Sequence, residues 1–321
     1  MTALPAAPAP RVLDAAAIAS LLPEVDVIAT LRALFRELAA GTAVQPAQSL
    51  TLFPDGKGDF ISYLGVLSGR GVFGAKLSPY IVTGERPIIT AWTSLMSMTT
   101  GQPLLLCDAG RLTVERTAGT TALAVDELAP AGARRLAIIG SGPIATAHWR
   151  HVAGLRPWES VRVWSPRLKQ RADGIRDWLA ADARIRVADG AQEACAGADA
   201  ILLCTSSGKP VIDPEWVRPG ALVTSISTNV AQAHEVPPAF LRSAQVYCDD
   251  RKTTPGAAGE MVLAAAAGDW SAERIRGDLA ELVAGTCPRP TEDAPVFFRS
   301  IGLGLEDIAM ADAILRAADA R

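Results

Sequence analysis

The run Arg135-Leu136-Ala137-Ile138-Ile139-Gly140-Ser141-Gly142-Pro143-Ile144-Ala145 puts an apolar segment directly before a G-x-G-x-x-A loop. The first glycine suits a tight turn and the second lets backbone approach a ligand. Ala145 keeps a following helix close to the preceding strand. A helix starting near Pro143 offers unpaired N–H groups and the positive end of its dipole. Together these features are suited to the pyrophosphate of a nicotinamide dinucleotide, with Gly140, Ser141, Gly142, Pro143 and Ile144 as contacts. A plain strand-to-helix turn is the competing reading, and the β-like run before the loop and helical pattern after it favour the dinucleotide.

The end of the next β-like run bears on which dinucleotide. It reads Val163-Trp164-Ser165-Pro166-Arg167-Leu168-Lys169. A site for NAD usually places Asp or Glu there to hold the ribose 2′-hydroxyl, and no acid is present. Ser165 can donate to a 2′-phosphate and Arg167 can pair with it. NADPH is therefore the expected cofactor, with NADH possible; a solvated cation at a helix start is the alternative reading of Arg167.

Composition narrows the partners. The chain has 321 residues, 49% hydrophobic and 20% charged, with a net charge of -3. A large core is feasible, and the basic face that nucleic acid requires is not expected. Cys107, Cys195, Cys204, Cys248 and Cys287 are scattered and lack metal-ligand spacing, so buried free thiols in a reducing compartment are expected. His148 and His151 fall on one predicted helix and are expected at the surface. The Ala/Pro-rich start has no signal-peptide pattern. Residues 87–107 carry no charge, but the Thr99-Thr100-Gly101-Gln102 turn and Pro103 favour strands over a membrane helix. A cytoplasmic protein acting on a small molecule is the expectation.

The elements that must position these residues fall into two textures. Asp14 can cap a helix through Leu22, and a helical period runs from Asp26 to Ala40, ended by Gly41. Residues 45–107 are short β-rich runs split by turns, read as an antiparallel or mixed sheet. Leu112–Leu128 is helical. From Arg134 the rhythm becomes strand–helix alternation, which implies a parallel sheet with helices on both faces. Leu305–Ala318 is helical again. The predicted boundary lies at Pro130-Ala131-Gly132.

Several spaced motifs resemble the ornithine cyclodeaminase/mu-crystallin family. They are Gly74-Ala75-Lys76-Leu77, Leu112-Thr113-Val114-Glu115-Arg116-Thr117-Ala118, the glycine-rich loop, and Ser300-Ile301-Gly302-Leu303-Gly304-Leu305-Glu306-Asp307, all in the family's order. The resemblance implies an α/β fold: a Rossmann dinucleotide-binding domain (129–301) plus an α+β substrate and dimerisation domain built from the N-terminal region and the C-terminal helix (1–128 and 302–321). It also implies a homodimer and a small α-amino or α-imino acid substrate. Lys76 and Arg116 match the cations that hold the substrate carboxylate, a role for which guanidinium geometry is suited. A solvated strand lysine, and an ion pair of Arg116 with Glu115 or Asp108, are the competing readings. The family's nicotinamide pocket implies cofactor contacts at Thr117 and at Cys204, Thr205 and Ser206; an ordinary turn at Ser206-Ser207-Gly208 is the alternative.

Two departures shape the expected chemistry. The family often has Arg in the segment Val44-Gln45-Pro46-Ala47-Gln48, where this chain has Gln48. Ornithine cyclodeaminases carry an Asp after the strand Ala221–Ile226, where this chain has Asn229; Asn cannot serve as a general base. The resemblance and these departures point to a ketimine reductase, with hydride delivered to C2 of 1-pyrroline-2-carboxylate or 1-piperideine-2-carboxylate to give proline or pipecolate. Lys76 and Arg116 would orient the carboxylate, and Asn229, Ser227 or Thr83 would position a water near the imine nitrogen. Ornithine cyclodeaminase, an alanine or opine-type dehydrogenase, and a non-catalytic NADPH and small-ligand binder are the alternatives.

Overall fold

The computed structural model describes residues 9–168, 172–227 and 232–321. The chain divides into two compact units, Met1–Arg116 with Leu303–Arg321, and Thr117–Gly302. The division falls within the helix Gly110–Leu128, earlier in the chain than the Pro130 stretch, because that helix runs unbroken up to Leu128.

The first unit is built on one sheet. Its strands are β1 (Arg11–Leu13), β2 (Ala43–Val44), β3 (Ser49–Leu52), β4 (Gly58–Leu67), β5 (Val72–Ile81), β6 (Ile88–Ile89), β7 (Trp92–Ser97) and β8 (Pro103–Asp108). They run in the order β1-β8-β7-β5-β4-β2, with β3 on β4 and β6 on β5. Only the β1–β8 pair is parallel. Strand alternation sorts residues between two faces. Tyr63, Lys76, Thr93 and Cys107 form one lateral row of register partners, all buried. The C-terminal helix Gly304–Asp319 packs on β4 and β5 and is buried along most of its length. Gly65 permits this approach, since a Cβ there would lie 3.1 Å from both Ile308 and Leu305. Asp14 and Asp26 cap the helices Ala15–Leu21 and Val27–Ala39 by accepting from Ala17 N (2.8 Å) and Ala29 N (2.9 Å). Leu31, Leu34 and Phe35 are fully buried, each worth roughly 1.5–3 kcal/mol of apolar transfer.

The second unit is a parallel sheet of β9 (Arg135–Ile139), β10 (Ser160–Trp164), β11 (Ile185–Val187), β12 (Ala200–Leu203), β13 (Leu222–Ser225), β14 (Gln245–Cys248), β15 (Ile275–Asp278) and β16 (Val296–Arg299). The order is β11-β10-β9-β12-β13-β16-β14-β15, a doubly wound arrangement that begins at β9. β12, β13, β14 and β16 are buried at every residue, as strands covered on both faces must be. β15 and β16 were not expected. Ile275-Arg276-Gly277-Asp278 has no alternation, and Val296-Phe297-Phe298-Arg299 is too short an apolar run to identify by period.

His148 corrects another expectation. It is fully buried on the helix Pro143–Val152. Its Nδ1–H donates to Ile144 O at 2.8 Å, and Nε2 accepts from Thr121 Oγ1 at 2.9 Å. Burial holds its pKa down at about 4. All five cysteines are free, four of them buried.

Candidate active site

In the first unit, three segments bring four charged side chains together. β5 supplies Lys76, the helix Gly110–Leu128 supplies Arg116, and the first turn of the C-terminal helix supplies Glu306 and Asp307. All four are buried. Lys76 Nζ lies 2.8 Å from Asp307 Oδ2, an ion pair between two buried side chains. The same ammonium reaches Thr113 Oγ1 at 3.4 Å and sits 4.1 Å from the centre of the Tyr63 ring. Arg116 Nε donates to Asp307 Oδ1 at 3.2 Å, and Nη1 donates to Glu306 Oε2 at 3.0 Å.

Lys76 is buried rather than solvated, and Arg116 forms ion pairs with Glu306 at 3.0 Å and Asp307 at 3.2 Å. Burial lowers the Lys76 pKa to about 8, with Asp307 opposing the shift and Arg116 adding to it. Burial also opposes the charge on Arg116, but Asp307 and Glu306 more than offset it, so this guanidinium stays protonated. The result is a buried pair of cations, of a chemistry suited to a carboxylate.

In the second unit the glycine-rich loop follows β9 as the sequence requires. Gly140 has φ 131°, and a Cβ there would collide with the carbonyl of Cys204. Its N–H donates to Trp164 O at 2.8 Å, drawing the ends of β9 and β10 together. Gly142 caps the helix Pro143–Val152 without any side-chain cap bond, and a Cβ on it would meet nothing within 4 Å. The N–H groups of that first turn are thus open to phosphate oxygens. Ser141, Gly142, Pro143 and Thr146 border a cleft of about 580 Å³. These residues fit a dinucleotide pyrophosphate. Ser165 and Arg167 follow β10, the former half-buried and the latter exposed.

The ends of β12 and β13 are joined by Glu235, which sequence reasoning missed. Its fully buried carboxylate accepts from Thr205 N (2.9 Å), Thr205 Oγ1 (2.7 Å), Ser225 Oγ (2.8 Å), Ile226 N (3.2 Å) and Ser227 N (2.8 Å). Ser227 holds a left-handed φ of 48° under this clamp. Thr205 and the segment from Ser225 to Ser227 are therefore tied together through one carboxylate. Burial pushes the Cys204 thiol well above its ordinary range, so it contributes no thiolate. Glu235 was legible as an acid beside the loop, but its role depends on the backbone amides that converge on it. Thr117 lies on the helix Gly110–Leu128 at 9% exposure.

The remaining expectations separate. Gln48 immediately precedes β3, whose Ser49 pairs with Ser62, and its side-chain Oε1 is buried without a hydrogen-bond partner. Thr83 lies beyond the end of β5 and donates to Arg86 O at 2.6 Å within its own turn. It is not part of the Lys76 group. Asn229 lies outside the described residues. Among the described residues no group of His, Cys, Asp and Glu could hold a metal ion. No helix among them is long and apolar enough to cross a membrane.

Comparison with known proteins adds the lineage. The model of the ornithine cyclodeaminase/mu-crystallin family matches residues 9–320. The chain is 58% identical over 307 residues to the NAD(P)H-dependent anabolic L-arginine dehydrogenase of Pseudomonas aeruginosa, covering 96% of this chain and 97% of that protein. It is 32% identical over 218 residues to the delta(1)-pyrroline-2-carboxylate reductase of Paracoccus denitrificans, covering 67% and 69%. Among solved structures, the iminosuccinate reductase of Paracoccus denitrificans in complex with NAD+ superposes with a TM-score of 0.87 at 25% identity, covering 96% of each chain.

Proposed function

The chain belongs to the ornithine cyclodeaminase/mu-crystallin family, and we propose that this nicotinamide-dependent oxidoreductase reduces the C=N bond of the α-imino acid formed from ammonia and a guanidino 2-oxo acid, yielding arginine. The observation that carries this substrate is the 58% identity over 96% of the chain to an L-arginine dehydrogenase. The buried cations supply the matching chemistry, since a substrate of this class always presents a carboxylate.

In this reading Lys76 and Arg116 hold the carboxylate and fix the plane of the imine. Orientation of that kind supplies several kcal/mol of a barrier. A bound dinucleotide would supply hydride for the imine carbon. The glycine loop would hold its pyrophosphate, and the Glu235-clamped segments at Thr205 and Ser227 would border its nicotinamide. Ser165 and Arg167 favour NADPH over NADH, because the two can meet a 2′-phosphate where no acid excludes it. A protonated imine needs no further proton when hydride arrives.

Cyclic ketimine reduction is the second reading. The 32% identity to a pyrroline-2-carboxylate reductase favours it, and Asn229 in place of an acid removes the base that cyclodeaminase chemistry needs.

One panel decides among these. NADPH oxidation is followed with 5-guanidino-2-oxopentanoate plus ammonia, with 1-pyrroline-2-carboxylate, with 1-piperideine-2-carboxylate, and with pyruvate plus ammonia or methylamine. An ornithine-to-ammonia assay runs alongside. The guanidino acid is expected to give the highest kcat/KM. A higher value for a cyclic imine would establish the second reading. Ammonia from ornithine without NADPH consumption would indicate the lyase. NADPH binding with no turnover of any substrate would leave a binding protein.

A further inference from the structure

We propose that Glu235 sets the redox preference of the dinucleotide site: its buried carboxylate complements the positive charge that a nicotinamide ring carries only in its oxidised form. The inference rests on the dinucleotide reading above, and not on the identity of the substrate.

Register places Glu235 at the right end of the sheet. Trp164, Ile139, Leu203, Ser225 and Arg299 are successive partners across β10, β9, β12, β13 and β16. They form one level at the carboxyl ends of these strands, immediately before the glycine loop. Ligands of doubly wound sheets lie beyond such ends, where the strand order reverses. Here the chain runs from β9 outwards to β10 and β11, then returns to β12 and β13 on the other side. With the pyrophosphate at the loop after β9 and the 2′ position at the end of β10, the second nucleotide half extends over β12 and β13. β13 stands two strand spacings from β9, about 10 Å, within reach of a ribose and its ring. Glu235 binds the amides that follow both of those strands.

The charge there is unbalanced. Glu235 is fully buried, and its hydrogen bonds come from neutral donors on Thr205, Ser225, Ile226 and Ser227. Among the described residues it forms no ion pair. The guanidinium of Arg299 stands one hydroxyl away, since Ser225 Oγ donates to Glu235 at 2.8 Å and accepts from Arg299 Nη1 at 3.3 Å. That guanidinium is committed to Glu260, with Nε 3.2 Å from Oε1, and both side chains are buried. Two carboxylates thus share one cation. A buried charge without a counter-ion is costly, and the Lys76 cluster shows the contrast, with two cations facing two carboxylates.

A third observation points to a ligand at the same place. Ser227 Oγ is buried without a hydrogen-bond partner, on a residue held at a left-handed φ of 48°. An orphaned hydroxyl on a strained backbone marks a surface that a bound molecule completes. A ring that is positive when oxidised and neutral when reduced would meet there a carboxylate that attracts the first form alone.

The test titrates the full-length protein, without substrate, with NADPH and with NADP+ at pH 8, above the ordinary imidazole range. The readout is the ratio of the two dissociation constants. Glu235→Gln removes the charge and is expected to lower the relative affinity for NADP+ about tenfold. Glu235→Asp keeps the charge and is expected to hold the ratio within about twofold of wild type even where both constants weaken, an outcome that a purely structural clamp would not give. A Gln ratio within about twofold of wild type, or an equal fall in Asp, overturns the role of Glu235. Should Glu235→Gln not fold, as judged by circular dichroism, Arg299→Gln replaces it. Loss of the shared guanidinium is expected to raise the relative affinity for NADP+ at least about threefold, and a smaller rise overturns the proposal. These outcomes leave the dinucleotide reading intact. Wild-type protein that binds neither form overturns that reading, and the Glu235 inference falls with it.

Discussion

Asp307 Oδ2 lies 2.8 Å from Lys76 Nζ, and both side chains are only 1% exposed. The other oxygen of the same carboxylate accepts from Arg116. One residue of the C-terminal helix therefore orients both cations assigned to the substrate. Breaking a buried ion pair by removing one partner costs about 3–5 kcal/mol. Asp307→Asn is expected to lower kcat/KM at least ~100-fold, as about 3 kcal/mol of lost anchoring requires, and to lower the denaturation midpoint. NADPH affinity, measured by fluorescence titration, is expected to persist. Full activity in Asp307→Asn would show that the cations need no such support.

Lys76 titrates within reach of ordinary assays. Burial, first of all, brings its pKa down to about 8. The anchor is charged below that value and neutral above it. The kcat/KM for a carboxylate substrate is expected to be level below pH 8 and to fall about tenfold per unit above it. Lys76→Arg should remove the limb, since guanidinium does not titrate there. Lys76→Ala and Arg116→Ala are both expected to lose turnover and keep NADPH binding. A descending limb that survives in Lys76→Arg belongs to another group.

His148 makes stability depend on pH in the acid range. Its folded pKa of about 4 lies below the ordinary 6.5, because burial disfavours the charged ring. The unfolded chain binds this proton first as pH falls, so stability is full above 6.5 and declines from there down to about 4. The linkage amounts to about 3 kcal/mol across that window. Chemical denaturation at a series of pH values should show the decline, and His148→Gln should flatten it. A slope unchanged in His148→Gln would assign the effect to other groups.

In the proposed function the exposed Arg167 pairs with the 2′-phosphate of NADPH. Arg167→Glu is expected to reduce the preference for NADPH over NADH at least tenfold, because a carboxylate repels the phosphate and suits the free 2′-hydroxyl. The ratio of kcat/KM for the two cofactors reports it. An unchanged ratio would leave Arg167 as a solvated surface cation.

The outer face of the first unit's sheet predicts the assembly. Val12, Leu64, Phe73, Leu77, Trp92 and Leu106 are all exposed there. Contiguous apolar surface of this kind marks an interface, and a second copy of the chain presents the same face by symmetry. Sedimentation is expected to give a homodimer, and Leu106→Glu a monomer. A wild-type monomer at micromolar concentration would refute the assignment.

Much of this was legible in the chain itself. The glycine loop, the acid-free end of β10 and the Asp14 cap rest on contiguous residues whose backbone preferences act locally. Other features were not. β15 and β16 are short and lack a period. His148 occupies a helix position that periodicity left at the surface, and is buried because the helix Pro143–Val152 is covered on that side as well. Glu235 is an acid beside a loop, and only convergence of five donors makes it a clamp.

The sequence by itself determined that a dinucleotide loop opens a strand–helix alternation, and its resemblance to the family singled out Lys76 and Arg116. The strand–turn–helix signal needs no distant partner. The tertiary structure decided the state of those cations. Glu306 and Asp307 come from the far end of the chain, and Coulomb energies depend on separation and burial that no local pattern encodes. Only the folded sheet, with the C-terminal helix laid across it at Gly65, makes Lys76 a weakly basic amine in a cluster with Arg116, Glu306 and Asp307.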